Sequence, residues 1–259
     1  MDLATIIGVV LAVFSLLFSV VIEGGHLVSL VNISAAIIVF GGTLGATMTC
    51  FPLRDFMKLP AWLKVAIRER QKDSSEIIRA IVELAETARR EGILKLENML
   101  EDLEDDFLRQ GVTLIVDGTD YEVTKSILRT ELDLMQERHQ TGIKFFESAG
   151  GYAPTMGIIG TVMGLVHVLG QLSDGNLGQA IATAFIATFY GVSSANIFWL
   201  PISSKLKVRS NQESIAREII IEGVLSIQAG ESPRIIEDRL KSFLPPVDRS
   251  KSDEQVVTV

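Results

Sequence analysis

The chain alternates between stretches that are apolar on every side and stretches whose apolar residues recur at helical spacing. Residues 3–22, 27–48, 150–169 and 177–200 are of the first kind. Each has the ~20 residues that an α-helix needs to cross the hydrocarbon core of a bilayer. They come as two close pairs, separated by Glu23-Gly24-Gly25-His26 and by a Ser173-Asp174-Gly175-Asn176 turn. A secretory signal peptide is the alternative for the first run. Met1-Asp2 carries no positive charge and no small-residue cleavage site follows, which argues against it.

The second kind of stretch fills residues 49–147. Asp73-Ser74-Ser75-Glu76 has the form of a capping box. Ile77, Ile78, Ile81, Leu84 and Ala85 then repeat at helical spacing until Gly92 breaks or bends the helix. Leu94, Leu96, Met99, Leu100, Leu103 and Leu108 predict a second amphipathic helix. Thr113–Val116 reads as a short apolar run closed by a turn at Asp117-Gly118. A long helix from Tyr121 is expected to run through Phe145-Phe146 into the third span. Beyond the fourth span, 206–228 reads as another amphipathic helix. Ser232-Pro233 caps a last short one, with proline at its first helical position. The expected divisions are therefore 1–48, 49–147, 148–201, 202–245 and a polar, disordered tail over 246–259.

Charge sharpens this division. Of 259 residues 47% are apolar and 22% charged, with a net charge of −8 that gives no reason to expect nucleic acid as a partner. All 24 Lys and Arg fall in two blocks, 15 within 51–147 and 9 within 205–251. Residues 1–53 and 148–204 hold no cation and only three carboxylates, Asp2, Glu23 and Asp174. Buried soluble helices are not emptied of charge in this way, so the fold class is an all-α membrane protein. Four transmembrane helices carry a helical cytoplasmic domain. The positive-inside bias places both basic blocks and both termini in the cytoplasm, with the two short turns outside. A single cysteine, Cys50, excludes an intrachain disulfide and a cysteine metal cluster.

Intramembrane ionisable residues usually mark ion paths. Here His167 is the only titratable group within a span, and it lies towards the outer end. A chain that conducts ions with these spans needs a carboxylate from another subunit. The spans offer small and polar residues instead: Gly157, Gly160 and Gly164 in the third, and Ala180, Ala184, Thr188 with Ala187, Gly191, Ala195 in the fourth. Such rows let helices approach closely. They serve either the chain's own bundle or a face around another subunit's helices. Thr161 and Thr188 fall on these rows, where their hydroxyls either bond their own backbone or help strip water from a passing cation. Pro154 and Pro201 each remove a backbone donor, and Pro201 is either a helix stop or a kink.

The run Gly151-Tyr152-Ala153-Pro154-Thr155-Met156-Gly157-Ile158-Ile159-Gly160-Thr161-Val162-Met163-Gly164-Leu165 resembles the MotA/PomA family of bacterial flagellar stator subunits. So do Ala187-Thr188-Phe189-Tyr190-Gly191, Ala195-Asn196, Pro201-Ile202 and the segment from Ala88 to Glu97. With the two-plus-two order of spans, the resemblance covers residues 1–245. It implies a ring of five subunits in the bacterial inner membrane around a MotB/PomB-type partner, which supplies the ion-binding aspartate. It implies no cofactor beyond the transported H+ or Na+, and torque delivered to the C-ring protein FliG. By motif position Arg89 and Glu97 resemble the charged residues that contact the rotor. Pro154 and Pro201 resemble the prolines that couple ion flow to torque, and Thr161 and Thr188 resemble positions near the ion-binding aspartate. Threonine at 161 is similar to sodium-type stators, although Ala187 stands where a sodium-type pattern has a second threonine.

Three other protein types fit the sequence less well. An ExbB/TolQ-type energiser should have three spans rather than four. A secondary transporter typically has more spans and a midplane substrate site. An enzyme would need a nucleotide loop, metal-ligand spacing or a nucleophile arrangement, and the sequence contains none.

Overall fold

The structure is a computed structural model that describes residues 3–67, 74–170 and 177–246, and every described element is helical. Asp73 of the expected capping box, the turn at 173–176 and residues 247–259 lie outside the described residues. Four helical stretches among the described residues are long and apolar enough to cross a membrane: Leu3–Ile22, Leu27–Cys50, Tyr121–Leu169 and Ala180–Gln228. The chain divides into two compact units, one of Met1–Glu69 with Arg138–Arg209, the other of Arg70–Glu137 with Ser210–Val259.

In the first unit, α1 (Leu3–Ile22) buries none of its residues. Its hydroxyls turn back to its own carbonyls, Ser15 to Leu11 at 2.8 Å and Ser19 to Leu16 at 2.9 Å. That is the economy hydrocarbon demands, since lipid supplies no hydrogen bonds. The second apolar run is not one helix. A single 3-10 turn, Leu27–Leu30, is followed by extended backbone at Val31 and Asn32. The helix restarts as α2 (Ile33–Ala36), whose first turn is capped by Asn32 Oδ1 accepting from Ala35 N at 2.9 Å. A π turn over Ile37–Gly41 leads into α3 (Gly42–Cys50).

Two short helices, α4 (Leu53–Phe56) and α5 (Leu59–Ile67), follow the second span. They pack on the later part of α8 (Tyr121–Leu169) through Phe51, Phe56 and Trp62, whose rings lie 5.4, 5.8 and 5.7 Å from that of Phe145. α8 passes through Pro154 without ending. α9 (Leu177–Ser194) continues through a second π turn, Ala195–Trp199, into α10 (Leu200–Gln228).

Pro201 is therefore no helix stop. Leu200 N donates to Ala195 O, five residues back, in the turn immediately before it. The wider π turn makes room where a regular helix would press the proline ring on the preceding carbonyls. The expected separate helix over 206–228 is accordingly the continuation of α10.

The second unit holds α6 (Ser74–Glu91), α7 (Asp106–Val116), α11 (Pro233–Lys241) and the remaining parts of α8 and α10. Ile77, Ile78, Ile81, Leu84 and Ala85 are buried, the stripe expected from their spacing. Gly92 ends α6 at φ 90, a conformation few side-chain-bearing residues adopt. The second amphipathic helix differs from expectation. Ile93–Asp102 is a 3-10 stretch, and α7 begins afresh where Asp105 accepts from Phe107 N at 2.9 Å and Leu108 N at 3.1 Å. Three residues per turn put Ile93, Leu96 and Met99 on one face and leave Leu94 outside it. Leu96 is fully buried and Leu94 exposed. Thr113–Val116 is the last turn of α7, which Gly118 closes at φ 73.

α10 is the spine of this unit. A Cβ at Gly223 would come within 2.6 Å of Ile81, so α6 and α10 meet at van der Waals distance. α11 is fastened by Arg239, which binds Glu222 at 3.1 Å, Ser226 at 3.0 Å and Glu231 at 2.9 Å. Ser232 caps it as expected.

Candidate functional site

Small residues on α8 and α9 set the geometry of the first unit. A Cβ on Gly157 would stand 2.8 Å from Ala187 O and 3.0 Å from Thr188 Cα; on Gly160, 2.6 Å from Ala187 Cβ; on Gly164, 2.7 Å from Ala184 Cβ. From the other side, Gly191 would place one 2.5 Å from Ala153 O. The glycine row is thus spent on contact with the chain's own α9. What α8 leaves open is a different face, built of Ile158, Ile159, Val162, Met163 and Val166, all exposed.

This close approach brings two hydroxyls together across the helix seam. Thr161 Oγ1 and Thr188 Oγ1 are 2.6 Å apart. Thr161 Oγ1 also lies 3.1 Å from both Gly157 O and Ala184 O, and Thr188 Oγ1 lies 3.4 Å from Gly157 O. Thr161 is buried and Thr188 half-buried. Four oxygens converge, but two hydroxyls own only two protons. One of those is used between the hydroxyls, and the other satisfies a single carbonyl contact. Lone pairs outnumber protons, so the cluster is electron-rich. It suits a hard cation, or a ligand that brings a proton of its own. It holds no carboxylate.

Pro154 lies one turn before Gly157 on α8, and Pro201 follows the second π turn. The two prolines bracket the helix pair rather than enter the oxygen cluster. Arg89 and Glu97 belong to the second unit. Both are exposed, on the end of α6 and on the 3-10 stretch, with Gly92 between them. Neither makes an ion pair among the described residues, although their neighbours Glu91, Arg90 and Lys95 do.

Some features of the site lie beyond what spacing indicates. Tyr190 accepts from Asn32 N at 3.1 Å and donates to Leu30 O, tying the broken start of the second span to α9. Asn32 ahead of an apolar run is a helix-start signal that would have located the break. Thr43 and Thr47 are fully buried on α3; Thr47 bonds Thr43 O at 2.8 Å.

A sequence model described as the Motility protein A N-terminal region matches residues 6–92, and one described as the MotA/TolQ/ExbB proton channel family matches residues 99–219. Motility protein A of Bacillus subtilis (strain 168) is 40% identical over 257 residues, covering 98% of this chain and 95% of its own length. The chain belongs to the Motility protein A (MotA) family. Its three-dimensional likeness runs the whole length as well. The flagellar MotAB stator complex from Bacillus subtilis matches with TM-score 0.89 at 39% identity, over 96% of this chain and 98% of that one. C. jejuni MotAB matches with TM-score 0.90 at 30% identity, over 95% and 97%. The description of the matched channel family names a channel rather than a catalyst. The match to the motility N-terminal model, residues 6–92, takes in the first pair of spans.

Proposed function

We propose that this chain is the wall-forming subunit of a flagellar stator. A ring of copies, five by the resemblance, surrounds a MotB/PomB-type partner in the bacterial inner membrane. The observation that carries this reading is the Thr161–Thr188 oxygen cluster. It lies on the seam beside an open apolar face of α8, and the spans lack an acid at their centres. A partner helix seated on that face brings the carboxylate, and the threonine and carbonyl oxygens replace the water a cation loses on entering. One charge crossing 100 mV releases about 2.3 kcal/mol, enough to bias a ring between orientations of near-equal energy.

Both termini are cytoplasmic in this reading. The second unit meets the rotor protein FliG through Arg89 and Glu97. No cofactor is called for beyond the transported cation. Hydroxyl and carbonyl ligands without a proton-relay group favour sodium over the proton.

Two measurements test it. Swimming speed in cells that rely on this chain should fall steeply as external sodium is withdrawn and should survive a protonophore. Speed indifferent to sodium and abolished by the protonophore would overturn the choice of ion. Separately, Arg89→Glu with Glu97→Lys should stop swimming while leaving the amount and ring size of the membrane complex unchanged, and a compensating charge change on FliG should restore part of it. Charge complementarity of this kind governs encounter and register more than fold. Wild-type motility in the double reversal would remove these two residues from the rotor surface.

A further inference from the structure

Residues 51–67 have two faces with different needs. The inner face is satisfied within the first unit: Phe56, Leu59, Trp62 and Leu63 pack with Phe145 and Phe146, and Ala66 is buried. A Cβ on Gly142 would touch the Trp62 ring at 3.0 Å, so α5 lies directly against α8. This fixes the depth of the segment. Lys144 and Glu147 are the last charges before the uncharged run that begins at Ser148, and Phe145 and Phe146 stand between them. α4 and α5 therefore run at the boundary where the third span leaves the bilayer.

The outer face is apolar and open. Leu53 is 65% exposed, Met57 75%, Val65 51% and Ile67 43%. Leu53 and Met57 lie on α4 and its C-cap, and Ala61 and Val65, four residues apart, share one face of α5. Arg54, Lys58 and Lys64 are exposed among them. The segment's only carboxylate, Asp55, is buried and bound to Lys58 at 2.8 Å. Arg54 and Lys64 have no ion partner among the described residues. An apolar stripe flanked by cations, at the end of a span, matches the needs of a helix lying in the headgroup layer. Water would leave the stripe unsatisfied, whereas acyl chains cover it and anionic headgroups meet cations whose stems reach outward.

We propose that residues 53–67 form a surface-lying collar on the basic side of the membrane that binds anionic phospholipid through Arg54, Lys58 and Lys64. It rests on the membrane-spanning reading of the chain, not on its torque role.

The test uses the full chain with its co-expressed partner in nanodiscs of phosphatidylcholine and phosphatidylglycerol. In a Cys50→Ser background, spin labels at Met57→Cys and Val65→Cys should be relaxed more by oxygen than by a water-soluble nickel chelate, the signature of interfacial depth. Spin-labelled phosphatidylglycerol should be enriched at the protein over labelled phosphatidylcholine by at least about twofold, as expected for several surface cations. That preference should vanish in Arg54→Gln/Lys58→Gln/Lys64→Gln and shrink in Lys64→Gln alone, a change at an exposed, unpaired side chain that keeps the comparison available if the triple variant fails to assemble. Stronger relaxation by nickel would show a face in water. Labels shielded from both reagents would show a second copy of the chain covering it. Equal preference for the two lipids in wild type would remove the headgroup site. Each of these outcomes overturns the proposal, and none of the readouts needs ion flux or rotation.

Discussion

Gly191→Ala is expected to destabilise the membrane unit by about 3 kcal/mol or more, the upper end of what overpacking costs. The added Cβ would stand 2.5 Å from Ala153 O and near Gly157 Cα at 3.1 Å. Both obstacles are backbone of a neighbouring helix, so no side chain can swing aside. The two helices must separate by several tenths of an ångström, which also pulls Thr161 from Thr188. Gly151→Ala is the matched control. It lies on α8, the other helix of the seam, with nothing within 4 Å of its Cβ, and there alanine should be neutral or slightly stabilising by its helix propensity. Heating the purified complex in detergent and following the assembled fraction by size exclusion compares the two. Equal midpoints would show that the α8–α9 seam is not as tight as its geometry.

The second large effect is expected at the oxygen cluster. Thr161→Val and Thr188→Val keep the shape of the side chain and remove only the hydroxyl. Each should lower ion-driven swimming roughly tenfold or more, the factor that 1–3 kcal/mol of lost polar contact gives. The double variant should be little worse than either single one, because the two hydroxyls lie within hydrogen-bond distance of each other and work as one group. Thr161→Ser should restore much of the speed. Assembly is the internal check: the valine proteins should form complexes in wild-type yield, since a methyl replaces a hydroxyl at the same volume. A double-valine strain that swims normally would show that the cluster serves helix packing alone.

Both experiments depend on contacts of very different legibility. The four spans are legible because hydrocarbon imposes length and excludes charge, and 148–204 satisfies both without help from tertiary contacts. The stripe of Ile77, Ile78, Ile81, Leu84 and Ala85 is legible for the same local reason. The Thr161–Thr188 contact is not. It joins residues 27 apart on two helices, and only the meeting of Gly157 with Ala187 and Thr188 brings the hydroxyls into range. Motif resemblance pointed to both threonines, whereas spacing alone left open whether each bonds its own backbone or meets a passing cation.

Elsewhere local signals competed. The leucines after Gly92 have an amphipathic pattern, but they are read at three residues per turn until Asp105 captures the amides of a new helix. Proline at 201 signals an end, but one extra residue in the turn before it lets the helix continue. Arg89 and Glu97 are exposed on either side of a glycine, and nothing in their surroundings distinguishes them from a solvated face. Their role rests on resemblance.

The absence of any buried residue on α1 has a consequence for how the protein is made. A helix that shares so little with the rest of its own polypeptide loses nothing by entering the bilayer before the remainder has left the ribosome. Its solvent is already complete. Synthesis can then proceed with that helix lodged and waiting, while the second span, which buries Ala35 and Val39 against Ala187, is completed only when the tightly fitted later pair closes on it.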